Sequence, residues 1–441
     1  MWLLLKSRDE PTNDPTPSTA AAPTTVLPTS TWAKAYGGQD DDKFFDLTVA
    51  ADGSIFAAGY TGSTDGDITT NRGDRDALLA KIAPDGTLIW ARAYGGTNYD
   101  TFNALAIAAD GSLFAAGYTL STDGDIITSK NGIWWGDALL AKIAPDGTLV
   151  WARAYGGASG ETFSAVALAD DGSVLAAGDT NSIAGDITTS HGGWSDALLA
   201  KIAPDGDIIW TRTYGGTNDD KFNALAVADD GDILAAGYTE SDDGDITTNR
   251  GDEDALLAKI APDGALRWTR TYGGTSRDTF NDLAVADDGD ILAAGYTESD
   301  DGDITTNRGG WDALLVKTAP DGTLLWAQTH GGTDWDSFNT LVIAADGDIL
   351  AAGYTGSTDG DLPPSHGDDD ALLAKTAPDG TLVWARTHGG ADGDSFSALA
   401  IAADGGLLAA GYTNSANSDP PLVRSLADLS VVKLTPNGEL G

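Results

Sequence analysis

The chain predicts an all-β ring of seven four-stranded antiparallel sheets, a seven-bladed β-propeller. Three observations carry this: a unit of about 58 residues recurs seven times, each unit holds four short apolar runs, and Gly or Asp-Gly punctuation separates the runs. Taking the recurrent Trp as first residue, units begin at Trp32, Trp90, Trp151, Trp210, Trp268, Trp326 and Trp384. The spacings are 58, 61, 59, 58, 58 and 58 residues, and the last unit runs to Gly441.

Residues 1–30 come before the ring. Trp2-Leu3-Leu4-Leu5, ended by Lys6, is too short for a membrane-spanning helix or the apolar core of an export signal. No targeting segment and no direct membrane insertion are therefore read. The Pro, Thr, Ser and Ala of the remainder predict a disordered linker, which is either an inert tail or a tether to an anchor outside this sequence.

The ring, residues 31–441, opens with a lone strand over Thr31–Tyr36. Within a complete unit the first run is Phe102–Ala108, closed by Asp110-Gly111, and the second is Leu113–Thr119, which leads into a long polar loop. The third, Asp137–Ile143, ends at Pro145-Asp146-Gly147, and the fourth is Leu149–Tyr155 before Gly156-Gly157. Ala and Leu favour helix in the third run. Seven residues between Gly and Pro make two helical turns at most, whereas they fit one strand. Both Asp-Gly sites are tight-turn chemistry.

The four strands are named a to d in that order. The last unit supplies a, b and c (Phe396–Ala402, Leu407–Thr413, Asp428–Leu434) and then stops, so its strand d is missing. The opening strand fills that place if the ring closes N-terminus to C-terminus, leaving no bare edge.

Composition excludes several functions. With 441 residues and 41% apolar content the chain has material for a large core. Against 67 Asp+Glu there are 25 Lys+Arg, a formal charge of -42 that repels nucleic acid and anionic lipid. The absence of Cys removes disulfides, thiolate metal sites and cysteine nucleophiles. His191, His330, His366 and His388 each replace another residue in a repeated slot, so neither a zinc cluster nor a Ser-His-Asp triad is read.

The pattern over residues 215–268, Gly-Gly-x5-Phe, Ala-Asp-Asp-Gly, Ala-Ala-Gly-Tyr-Thr, Gly-Asp-Ile-Thr and Asp-Ala-Leu-Leu-Ala-Lys-Ile-Ala-Pro-Asp-Gly, resembles the bacterial SBBP-type seven-bladed propeller repeats. It is also similar to repeats of secreted or surface-attached Bacteroidota proteins. The resemblance covers residues 31–441. It implies a propeller at the cell surface or outside the cell and implies no single activity.

In such a ring the short Asp-Gly turns share one face, and the longer acidic loops share the other, here called the top. Three carboxylate positions recur on the top. One is placed before strand a at the channel mouth (Asp42, Asp100, Glu161, Asp220, Asp278, Asp336, Asp394), and one lies in the b-to-c loop (Asp67, Asp125, Asp186, Asp245, Asp303, Asp361, Asp419). The third opens strand c (Asp76, Asp137, Asp196, Asp254, Asp312, Asp370, Asp428). Crowded carboxylates need a cation or hydrogen-bond donors to offset their repulsion. Two readings stay open: loop-capping Asp residues, and Ca²⁺ sites, since Ca²⁺ takes six to eight such oxygens.

Strand d alternates Trp90, Arg92 and Tyr94 toward one side, which reads as blade-to-blade packing with cation–π support. Trp134, Trp135, Trp194, Trp311 and Trp335 fall in top loops where neighbouring units carry other residues, and are candidate ligand anchors. The function expected is a non-catalytic surface or secreted module that presents these loops to a protein or glycan. The alternatives are a propeller enzyme and an architectural part of a surface assembly. The enzyme would be a carboxylate-based glycan hydrolase or lyase, or a quinoprotein-like dehydrogenase, whose tryptophan-docking repeat Pro-Asp-Gly-x-Leu-x-Trp resembles.

Overall fold

A computed structural model describes residues 30–126, 135–415 and 428–440, so the linker expected over residues 1–30 falls almost wholly outside it. The described residues form seven four-stranded antiparallel sheets around one axis. The strands are numbered in chain order. The lone β1 (Trp32–Tyr36) is followed by the first blade, β2 (Asp42–Val49), β3 (Ile55–Thr61), β4 (Asp76–Ile82) and β5 (Leu88–Tyr94). The pattern recurs to the last blade, β26 (Asp394–Ile401), β27 (Leu407–Thr413) and β28 (Asp428–Leu434).

The ring closes as the sequence predicts. The last sheet runs β1-β28-β27-β26, with β1 antiparallel to β28 from Trp32 opposite Lys433 to Tyr36 opposite Leu429. The core across this seam mixes Leu408, Ala410 and Val431 with Phe44, Ile55 and Leu78, so the two chain ends share one apolar interior.

The Asp-Ala-Leu-Leu-Ala-Lys-Ile run is a strand wherever it occurs, and β4 is buried on both faces. Burial against two neighbouring sheets overrides the helix preference of Ala and Leu, because each face is worth more than the few tenths of a kcal/mol by which propensities differ. Strand d lies at the rim and is half exposed, with Ile89, Val150, Ile209, Leu325 and Val383 facing water. Its predicted packing role holds. Tyr94 Oη donates to Gly147 O of the next blade at 2.8 Å, and Arg92 lies 5.6 Å from the Trp90 ring.

Strand a differs from the expectation. It starts two residues earlier than its apolar run, so the first carboxylate is the first residue of the strand and not a residue ahead of it at the channel mouth. The Asp100 amide donates to Arg75 O of the preceding blade, which extends the strand to that point. Strand a also carries a β-bulge in its first half in every blade, such as that between Phe102 and Ala104. The bulge pushes strand a against strand b, where a Cβ on Gly117 would overlap the Thr101 carbonyl. Only Gly fits there, which explains Ala-Ala-Gly in all seven units. The bulged residue and its successor both face the axis.

Candidate functional site

Two of the three recurrent carboxylates meet at the seams between blades, at five of them beside a glycine. Asp100 opens strand a of one blade. Its carboxylate accepts hydrogen bonds from the hydroxyls of Thr119 and Ser121 and, at 2.9 Å, from the Gly96 amide. Asp42, Asp220, Asp278, Asp336 and Asp394 repeat this pattern. Glu161 accepts from Thr180 and Gly157 with its longer side chain. The capping geometry is therefore present, although these residues cap across strands and not within one loop.

Asp76, opening strand c of the preceding blade, accepts from the Arg72 amide through Oδ2 at 2.9 Å. Its Oδ1 is buried without a hydrogen-bond donor, and so are the Oδ1 atoms of Asp196, Asp254, Asp312 and Asp370. These orphan oxygens face the strand-a carboxylates. A Cβ placed on Gly389 would lie 2.5 Å from Asp370 Oδ1 and 2.6 Å from Asp394 Oδ2, so one small gap beside a glycine holds an oxygen from each. Asp137 and Glu161 converge in the same way beside Gly156.

Burial, together with repulsion from the facing carboxylate, pushes Asp76 and Asp312 up to about 7. Asp254, Asp220 and Asp278 rise to about 6, also chiefly by burial. Each of these groups takes up a proton more readily than an exposed carboxylate does.

The second carboxylate position does different work. The Asp125 amide donates to Gly95 O at 2.9 Å, and its carboxylate pairs with Arg72 of the preceding blade. Asp303 pairs with Arg250 at 2.9 Å and Asp361 with Arg308 at 3.2 Å. Asp245 faces His191, which replaces the arginine, at 3.7 Å. Asp67 is tied through its amide to Gly37 O. Among the described residues no group of three or more His, Asp or Glu is arranged to hold a metal ion. Asp419 and Trp134 lie outside the described residues.

Above each seam the constant backbone carries variable side chains. Among the described residues the amide of the strand-a carboxylate bonds the residue before strand c of the preceding blade at six seams, so residues 24 apart in the chain sit side by side: Arg75 by Tyr99, Glu253 by Arg277, Trp311 by Trp335. A second amide bond brings in the residue after strand b, as when Glu298 N donates to Arg277 O.

Two aromatic clusters result on the top face. Tyr296, Trp311 and Trp335 form a continuous stack, with ring centroids 4.3 Å and then 5.8 Å apart. The Trp311 indole N–H donates to Glu298. Trp335, the outer ring, is 56% exposed. On the other cluster Tyr99 stacks on Tyr118 at 5.4 Å, and Arg75 lies over Tyr60 at 4.5 Å while bonding Asp41 at 2.6 Å.

The candidate anchors therefore divide. Trp311 and Trp335 come together, Trp194 stands alone at 80% exposure, and Trp135 is exposed near Gly160. Sequence reasoning missed Tyr296 and the Tyr60–Arg75–Tyr99–Tyr118 cluster. The tyrosines of strand b belong to the repeat and read as packing. The available signal was that Arg75 and Tyr99 occupy the same slots as Trp311 and Trp335.

No protein-family model matches the chain. A 195-residue stretch is 29% identical to the regulatory protein FlaEY of Caulobacter vibrioides, covering 39% of this chain. The chain spans about 20% of the length of that relative. Among solved structures, the WD40 domain of Neurospora crassa Pan2 matches with a TM-score of 0.50 at 10% identity, over 94% of this chain and 98% of that one. A Xanthomonas campestris gluconolactonase matches with a TM-score of 0.39 at 13% identity, over 93% and 99%. The fold is that of a β-propeller.

Proposed function

We propose that this propeller is a non-catalytic surface or secreted binding module of the SBBP-repeat kind, whose top face takes a glycan or a protein segment on the Tyr296–Trp311–Trp335 stack. The observation that carries the reading is the stack itself. Hydrophobic burial would hide three coaxial aromatic rings in a structural role, yet the outermost is left more than half in water. A flat indole face offers apolar area at low entropic cost, and Glu298 and Asp334 beside it supply acceptors for ligand hydroxyls or amides. The charge of -42 disfavours polyanions, so the class is a neutral or cationic saccharide or a basic, aromatic-rich peptide.

The enzyme reading is less well supported by the geometry. The carboxylates with raised pKa, which a glycan hydrolase would use as general acid, include Asp76 and Asp312 at 0% exposure, out of reach of a sugar.

Screening the full chain against glycan and peptide arrays, followed by calorimetry on the hits, tests the proposal. Trp335→Ala is expected to weaken binding at least tenfold while Trp194→Ala leaves it unchanged. Retention of full affinity by Trp335→Ala would overturn the assignment of the site.

A further inference from the structure

We propose that the top of the sixth blade holds a guanidinium, the arginine side chain of a partner protein segment, between the exposed face of Trp335 and the carboxylate of Asp369. The inference rests on the top-face stack as the binding site and names the group that site selects.

Three positions share one tier above each blade: the residue before strand a, the tyrosine slot of strand b, and the residue before strand c. In the first blade they are Asp41, Tyr60 and Arg75. The Arg75 guanidinium lies over the Tyr60 ring at 4.5 Å and donates to Asp41 at 2.6 Å, and Tyr60 Oη donates to the same carboxylate at 2.8 Å. On its other side Arg75 lies 5.3 Å from the Tyr99 ring. The tier thus holds one arginine of this chain between aromatic rings and on a carboxylate. In the sixth blade, which begins at β22 (Asp336–Ile343), the same positions are Trp335, Tyr354 and Asp369. Ring and carboxylate are both present there, and none of the three is basic.

The backbone brings the two walls together. The Gly356 amide donates to Trp335 O at 2.7 Å, as the Gly62 amide donates to Asp41 O in the first blade. A Cβ placed on Gly356 would lie 2.9 Å from Asp369 Oδ1, so the carboxylate reaches the glycine to which Trp335 is bonded. One face of the Trp335 indole meets Trp311, which leaves the other face for a ligand. Gly393 stands by Asp369 where Tyr99 stands by Arg75. A Cβ on Gly393 would meet only the Asn414 amide nitrogen, at 3.8 Å, so among the described residues no ring takes the place of Tyr99 beside Asp369.

Charge decides the class. Carboxylates of this tier in other blades have cations: Asp41 has Arg75, and Asp179 has Lys221 at 3.3 Å. His366 is bonded to Asp370 and Arg308 to Asp361, and among the described residues Asp334, Asp368 and Asp369 have no ion pair. Burial, with repulsion from Asp368 and Asp334, pushes Asp369 up. A cation relieves that repulsion, and a neutral sugar hydroxyl does not. A guanidinium fits better than an ammonium, because its flat face stacks on an indole while its edge N–H groups reach a carboxylate. The formal charge of -42 draws a basic segment toward the face.

Saturation-transfer NMR of the full chain with the capped tripeptide Ac-Gly-Arg-Gly-NH₂ tests this, with the lysine and citrulline tripeptides and glucosamine as comparisons. Saturable binding of the arginine peptide is expected. It should be at least tenfold tighter than that of citrulline, which keeps the shape and lacks the charge, and at least threefold tighter than that of lysine or glucosamine. Trp335→Ala and the near-isosteric Asp369→Asn are each expected to weaken it at least fivefold, and Trp194→Ala to leave it unchanged. Asp369→Arg, which places the residue of the first blade in the same position, is expected to abolish it. Equal binding of arginine and citrulline, no saturable binding of arginine, or tighter binding of glucosamine would overturn the guanidinium assignment. If array hits still lose affinity in Trp335→Ala after such a result, the stack stands as the site and only its ligand class is wrong. Arginine binding unchanged in both Trp335→Ala and Asp369→Asn would overturn the placement.

Discussion

At the scale of single residues, the informative feature is the buried oxygen without a donor. Asp312 Oδ2 accepts from the Arg308 amide, while Oδ1 faces Asp336 across the seam with nothing between them but a glycine. Replacing Asp312 by Asn puts an NH₂ group where Oδ1 was, able to donate to Asp336 Oδ2, and leaves the other oxygen for Arg308. We expect Asp312→Asn to stabilise the protein at pH 8 by about 1 kcal/mol, the worth of one new hydrogen bond, and to change little at pH 5, below the value of about 7 to which burial raises Asp312. Denaturant titration at both pH values checks this, and a loss at pH 8 would mean that the oxygens do not face each other. The sequence showed each carboxylate singly. It could not show that Asp312 meets Asp336, because both are also legible as turn caps and the contact exists only once two blades are docked.

At the scale of the strand and the seam, the carboxylate pairs act as a set. Folding raises Asp76, Asp312, Glu161, Asp220, Asp254 and Asp278 above their ordinary values to about 6 or 7, chiefly by burial. The folded chain therefore holds protons that the unfolded chain has released near pH 4, so this contribution to stability is fully present below about pH 4 and is lost as pH rises through about 7. Turn aspartates such as Asp110 and Asp321 are lowered by hydrogen bonds from Ser112 and Thr323, and their contribution runs the other way, fading only in acid. The denaturation midpoint is expected to fall between pH 5 and pH 8. A midpoint that rises over that interval would contradict the buried pairing. Strand positions and turn types were readable from run length and Asp-Gly punctuation. The bulge in strand a was not, because inserting one residue into a seven- or eight-residue run leaves no signature when Phe, Asn, Ala and Leu are all tolerated there.

At the scale of the whole molecule, everything on the top face and along the axis requires the ring to be closed in the observed register. The repeat period and the missing last strand made closure predictable, since an unfilled edge on the three-stranded final blade would be a site of aggregation. Which variable loops become neighbours followed only from the docking of successive blades: Trp311 and Trp335, or Arg75 and Tyr99, belong to different units and meet across a seam. The direct test exploits the absence of cysteine in the chain. Ala35 lies opposite Ser430 in the β1–β28 pair, where antiparallel neighbours have Cα atoms about 4.5–5.5 Å apart, within the span of a disulfide. In the Ala35→Cys/Ser430→Cys variant, mild oxidation is expected to give an intramolecular disulfide in nearly every molecule, read as a monomer 2 Da lighter with no free thiol. Free thiols after oxidation, or disulfide-linked dimers in place of monomers, would show that the first strand does not complete the last blade.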